Sequence, residues 1–118
     1  GLSSRVAHHL DFPDYSDADL MAIAGLLLDA QQYRFSAGAE QAFAEYIALR
    51  RQLPFFANAR SIRNAIDRAR LRQANRLFAR MAEALTRDDL ITIEAPDIRA
   101  SRVFSGQVEG HHPVASGA

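Results

Sequence analysis

Two arginines at the start of a long helical pattern are the residues in this chain best placed to do chemistry. In Phe56-Ala57-Asn58-Ala59-Arg60-Ser61-Ile62-Arg63-Asn64, the guanidiniums of Arg60 and Arg63 fall in the first turns of the longest helical run. A helix start already carries partial positive charge, so cations are unusual there. Beside unpaired backbone N–H groups they make a site for an anion such as phosphate, which a guanidinium grips through two hydrogen bonds. The competing reading has one arginine capping a nearby carboxylate and the other solvated. Spacing alone leaves both open.

A second set lies further along the same run, where Arg68, Arg72 and Arg76 step by four. Between Asn58 and Arg80 there are seven arginines against the single acid Asp67, a local balance of +6 in a chain of zero formal net charge. Such a ridge is a solvated face with salt-bridge partners elsewhere, or a contact for nucleic-acid phosphates. No aromatic or amide readout group is interleaved with it, which weakens the nucleic-acid reading. The pairs His8-His9 and His111-His112 raise the question of metal. Neighbouring residues on a strand point to opposite faces, so the first pair chelates poorly, and the second sits in a tail of Gly, Ser and Pro.

What is missing narrows the classes. There is no cysteine, hence no disulfide, no thiolate nucleophile and no Cys-based metal site. All basic residues are Arg, so a phosphate-binding loop ending in Gly-Lys-Ser/Thr cannot occur here. No paired carboxylates, Ser/His/Asp set or metal cluster is visible, which argues against a stand-alone enzyme. No apolar run has membrane-spanning length and nothing resembles a signal peptide. A chain of 118 residues holds one domain with a modest core. The Arg-only basic set suggests a high-GC bacterial source; the expected setting is cytoplasmic. The first residue is Gly, which fits a segment cut from something longer.

The elements that must position these arginines are helical. An extended amino-terminal lead-in through residue 15, with Val6, His8 and Leu10 alternating, breaks at Phe12-Pro13. Ser16-x-x-Asp19 opens a first helix to about Gln32, with Leu20, Ile23, Ala24, Leu27 and Leu28 on its apolar side. Tyr33-Arg34-Phe35 reads as a linker. Ser36 caps a second helix, whose Phe43, Tyr46 and Ile47 read as core, and it ends near Gln52 before Pro54. The third is predicted from Asn58 to Leu85. Its stripe of Ile62, Ile66, Ala69, Leu71, Ala74, Leu77, Phe78, Met81 and Leu85 is wide enough for more than one neighbour. Thr86-x-x-Asp89 marks a short helical turn, Ile91-Thr92-Ile93 an extended segment, and Pro96 the first position of a last helix to Val103. The expectation is all-α, a small four-helix bundle with one short extended segment near residues 91–93. Residues 106–118 read as a disordered tail.

Several of these stretches carry a resemblance. Gly1-Leu2-Ser3-Ser4-Arg5-Val6-Ala7-His8-His9, Phe12-Pro13-Asp14-Tyr15, the long run Phe56 to Leu77, and Asp97-Ile98-Arg99-Ala100-Ser101-Arg102-Val103-Phe104 closely resemble the carboxy-terminal part of the CbbX (CfxQ) family. These are the AAA+ ATPases known as red-type Rubisco activases. The resemblance covers residues 1 to about 104. It implies an AAA+ lid-type bundle at residues 16–105, preceded by the end of an ATPase core and a linker at residues 1–15.

The resemblance also implies roles. Arg60 is similar to the sensor 2 arginine that reaches from the lid to the phosphates of ATP, with Arg63 a possible helper one turn on. Arg5 is similar to the arginine finger that acts on ATP in the neighbouring subunit. The Walker motifs, sensor 1 and pore loops lie outside this segment, so it is expected to hydrolyse no ATP itself, while the parent binds Mg and ATP. Implied partners are neighbouring subunits of a homo-hexameric ring, Rubisco as client and ribulose 1,5-bisphosphate as regulator, with no nucleic acid and no membrane. Two alternatives remain: the lid of another CbbX-like remodelling ATPase, and a small helical nucleic-acid-binding module built on Arg68, Arg72 and Arg76.

Overall fold

A computed structural model describes residues 15–107. The first two long helices begin where a side chain can satisfy orphan N–H groups. The hydroxyl of Ser16 accepts from the Asp19 N–H at 3.0 Å, and the Asp19 carboxylate accepts from the Ser16 N–H at 3.1 Å, a complete capping box for α1 (Asp17–Ala30). α1 ends without glycine. Gln32 takes a left-handed φ of 63°, so that Tyr33 N–H reaches Leu28 O and Gln32 N–H reaches Asp29 O. That is a Schellman closure, which usually recruits Gly.

β1 (Arg34–Phe35) follows directly, where the sequence pattern suggested a linker. It pairs in parallel with β2 (Thr92–Ile93), Arg34 opposite Thr92 and Phe35 opposite Ile93. The Ser36 N–H adds a bond to Ile93 O at 2.9 Å, and the Ser36 hydroxyl then caps α2 (Ala37–Arg50). The predicted extended segment is therefore real but one residue shorter, since Ile91 closes the five-residue helix α4 (Arg87–Ile91).

The long third helix, α3, runs Ala59–Phe78. The predicted extension to Leu85 does not form. The chain turns through Ala79–Glu83, with Arg80 N–H on Leu77 O and Glu83 N–H on Arg80 O, and Thr86 starts α4 with its own capping box to Asp89. The predicted last helix is also split. α5 (Ala95–Arg99), with Pro96 in its first turn, gives way at Ser101 to a 3-10 turn over Arg102–Ser105. Gly106, φ 81°, closes that turn with its N–H on Val103 O, a left-handed position glycine adopts at no steric cost. Among the described residues the bundle thus holds five α-helices and a two-strand parallel ladder in place of four helices, and remains all-α in class.

α2 is the centre of the packing. α1 lies on one flank, α5 and the 3-10 turn on the other, and α3 crosses α1 and reaches α5. The core gathers Leu20, Phe43, Ile47, Ile62, Ile66, Ile93 and Ile98, each essentially inaccessible to water. Burial of each such side chain stabilises by about 1.5–3 kcal/mol. The rings of Phe35, Phe43, Tyr46 and Phe104 form a chain with successive centroids 5.2, 5.2 and 6.5 Å apart. The aromatic stripe of α2 is core, as its spacing suggested.

One buried polar side chain escaped the sequence reading. Gln73 on α3 is 2% exposed, and its amide faces Asp89 O, Leu90 O and Thr92 O at 3.3, 3.0 and 3.2 Å. It holds the end of α4 and β2 against α3. Replacement by alanine leaves those carbonyls short of a donor and opens a void, for an expected loss of about 2 kcal/mol in chemical denaturation. A loss within experimental error would mean water replaces the amide at no cost.

Candidate functional site

The start of α3 is built by what precedes it. Arg50, in the last turn of α2, is 6% exposed. There a cation opposes the negative end of the helix dipole. Its Nη1 donates to Pro54 O at 2.9 Å and to Leu53 O at 3.4 Å, and its guanidinium lies 5.7 Å from the Phe56 ring centroid. The linker it grips is strained: Phe55 and Asn58 take φ values of 69° and 48°, rare for residues with a Cβ. Asn58 gives α3 no side-chain cap, and the first turn of α3 has no acid. Ser61 instead turns its hydroxyl back to accept from the Ala57 N–H at 2.8 Å.

Arg60 and Arg63 are both exposed there, and neither has a carboxylate within ion-pair distance among the described residues. The alternative in which a chain carboxylate takes one of them up is not seen among those residues. An uncapped positive helix end bearing two unpaired guanidiniums is chemically an anion acceptor. Arg5, His8-His9 and His111-His112 lie outside the described residues.

The ridge of Arg68, Arg72 and Arg76 divides. Arg76 makes a two-pronged bond to the Asp97 carboxylate, Nε to Oδ1 at 2.9 Å and Nη2 to Oδ2 at 2.8 Å. Asp97 is 2% exposed and also accepts from the Glu94 N–H at 2.9 Å. Its carboxylate holds the Arg76 guanidinium above even its usual high pKa, mainly through the hydrogen bond. Arg72 donates to the Asp97 carbonyl. Two of the three are thus structural ties between α3 and α5, which removes them from a nucleic-acid surface. Arg70 stacks over Tyr33 at 4.8 Å and bonds Gln31.

Surface carboxylates carry smaller effects. Arg99 lowers the Glu45 carboxyl below its ordinary value, chiefly by hydrogen bonding, and the Thr86 backbone does the same for Asp89. A depressed folded-state value means that both contribute stability above the ordinary carboxylate range and lose it as pH falls through that range.

The other flank of α3 is apolar and open. Leu71, Phe78 and Met81 are 63%, 71% and 65% exposed, and Phe78 and Met81 rim a groove with Leu85, Leu90 and Tyr33. The wide stripe read from the sequence therefore has one side in the core and one without a cover among the described residues.

The chain is a small helical domain with an arginine-bearing helix start and an apolar flank uncovered among the described residues. The chain belongs to the AAA lid domain family, which matches residues 16–105. It is 56% identical over 115 residues to protein CbbX of Cereibacter sphaeroides, covering 98% of this chain and 37% of that one. It is 58% identical over 105 residues to a CfxQ homolog of Pyropia yezoensis, covering 89% and 35%. It is 55% identical over 104 residues to the chloroplastic ribulose bisphosphate carboxylase/oxygenase activase of Cyanidioschyzon merolae, covering 88% and 36%. The resemblance read over residues 1 to about 104 thus holds over most of the chain, which spans about a third of the length of these curated relatives. Because one relative is chloroplastic by name, the comparisons do not favour the high-GC bacterial source suggested by the arginine content. Among the described residues no helix is long and apolar enough to cross a membrane.

Proposed function

We propose that this segment is the lid of an AAA+ ATPase that remodels inhibited red-type Rubisco, and that Arg60 reports the phosphate state of ATP to the lid. The observation that supports this most directly is the start of α3. Two exposed guanidiniums stand at an uncapped, dipole-positive helix end, on a chain of the AAA lid family. Arg60 acts as the sensor 2 arginine and Arg63 as its helper one turn on. Arg5 acts as an arginine finger on ATP held by the neighbouring subunit. Mg and ATP belong to a core that carries the Walker motifs, and this segment supplies charge and movement. Closure of the lid on the phosphates couples nucleotide state to subunit geometry, as hinge closure does generally. The bare flank of Leu71, Phe78 and Met81 suits a neighbouring subunit in a homo-hexameric ring. Rubisco is the client, ribulose 1,5-bisphosphate the regulator, and the cytoplasm or its plastid counterpart the setting.

The test is Arg60→Ala in the whole ATPase that carries this lid. Loss of one charge-assisted phosphate contact is expected to lower ATP turnover by about tenfold or more, and reactivation of sugar-phosphate-blocked Rubisco with it. Unchanged turnover together with unchanged ring assembly would remove Arg60 from the nucleotide. Normal ATP turnover with no action on Rubisco would leave the lid reading standing and move the client to another protein.

A further inference from the structure

A second positively charged site lies beside the first, one turn further along α3. The end of α2 and the second turn of α3 diverge to leave a cavity of about 30 Å3, room for roughly one water, lined by Tyr46, Arg50, Ser61, Asn64, Ala65 and Arg68. It opens on a groove of about 280 Å3 along Asn64, Asp67, Arg68 and Leu71. Arg60 and Arg63 line neither.

The wall of the cavity is electrostatically incomplete. Two guanidiniums share it and, among the described residues, no carboxylate does. Arg50 is buried and satisfied by backbone carbonyls, which carry no charge. Half-buried Arg68 has no ion-pair partner among the described residues. Asp67, on the outer groove, leans toward Arg70 at 4.0 Å. Two like charges drawn partly out of water are costly unless a counter-charge joins them. Two further wall side chains, Ser61 and Asn64, can add donors. The Ser61 hydroxyl already accepts from the Ala57 N–H, so its own hydrogen is free to donate, and the Asn64 amide offers two more.

We infer that this cavity and its groove bind the phosphate group of a small phosphate monoester. A terminal oxygen enters between Arg50, Ser61 and Arg68, and the organic part lies along the groove toward Leu71. Phosphate is favoured over a carboxylate because two guanidiniums, one from each helix, match the charge of a phosphate dianion better than that of a single carboxylate. The site is independent of the nucleotide reading of Arg60. Its occupation ties the end of α2 to the body of α3.

The probe is inorganic phosphate, titrated at constant ionic strength into the 118-residue chain and followed through the arginine Nε–Hε resonances. Millimolar binding that shifts Arg50 and Arg68 is expected. Arg68→Gln is expected to weaken it about tenfold, as loss of a charged donor should. Asn64→Ala weakens it less and leaves net charge unchanged, which separates a shaped site from a general positive field. The double variant Arg60→Ala/Arg63→Ala keeps the response. The inference is overturned if the wild type shows no shift, if Arg68→Gln binds as the wild type does, or if only the Arg60/Arg63 variant loses binding. That last result would leave the start of α3 as the phosphate site and this cavity as packing. Backbone amide spectra of each variant establish that it is folded.

Discussion

Asp97→Ala is expected to destabilise the domain by about 3 kcal/mol, a large share of the ~5–15 kcal/mol that holds a domain of this size. The reasoning starts from what the carboxylate touches. It is 2% exposed, takes both prongs of Arg76 and accepts the Glu94 N–H that opens α5. Removal strands a guanidinium whose side chain is 27% exposed. Partial access to water sets the loss at the low end of the ~3–5 kcal/mol typical of a broken buried pair. Arg76→Met strands the better-buried partner, the carboxylate, and is expected to cost more than Asp97→Ala. The double variant should cost less than the sum by about 1 kcal/mol or more, because the second removal relieves the charge the first left behind. Urea unfolding with unchanged m-values reads all three, and Asp97→Asn serves where alanine does not fold. Additive losses would show that the two residues do not act as a pair.

This pair also shows where a sequence stops being readable. Arg76 belonged to a ridge of like charges on one helix, with no local cue to its fate. Its partner lies 21 residues further on, on a separate short helix, and only the fold brings the two together. Local chemistry was legible: Ser16, Ser36 and Thr86 cap where hydroxyl-bearing residues should. The start of the long helix at Asn58 also followed from pattern, whereas the pattern left open whether Arg60 or Arg63 met a carboxylate. The end of α3 did not. Met81-Ala82-Glu83-Ala84-Leu85 has good helix propensity, but Phe78 and Met81 find no cover among the described residues, so packing gives little support to a longer rod. β1 was missed because two residues carry no period, and its partner β2 lies 58 positions away along the register. Arg50 was missed because arginine is rarely buried, and nothing in the sequence marks it as the clamp on the linker.

That clamp carries the other large expected effect. Arg50→Ala is expected to lose about 2–3 kcal/mol, from charge-assisted bonds to Leu53 O and Pro54 O and from its packing over Phe56. Pro54 is exposed, so water recovers part of the lost bonding and the loss stays below that of an unpaired buried charge. The more informative effect is local. Phe55 and Asn58 hold positive φ only while the surroundings enforce it, and Arg50 is the group that grips the chain between α2 and that strain. Without it the linker relaxes and the Ala57 N–H bond to Ser61 opens more often. Hydrogen exchange at Ala57 should then accelerate by more than the global loss of stability accounts for, while amides of α1 follow the global loss. Arg50→Lys keeps the charge but not the planar fork, and should recover only part of both effects. If exchange at Ala57 merely tracks global unfolding, the linker is held by Pro54 and Phe56 alone. If it accelerates, the placement of Arg60 at the start of α3 depends on a buried arginine ten residues before it.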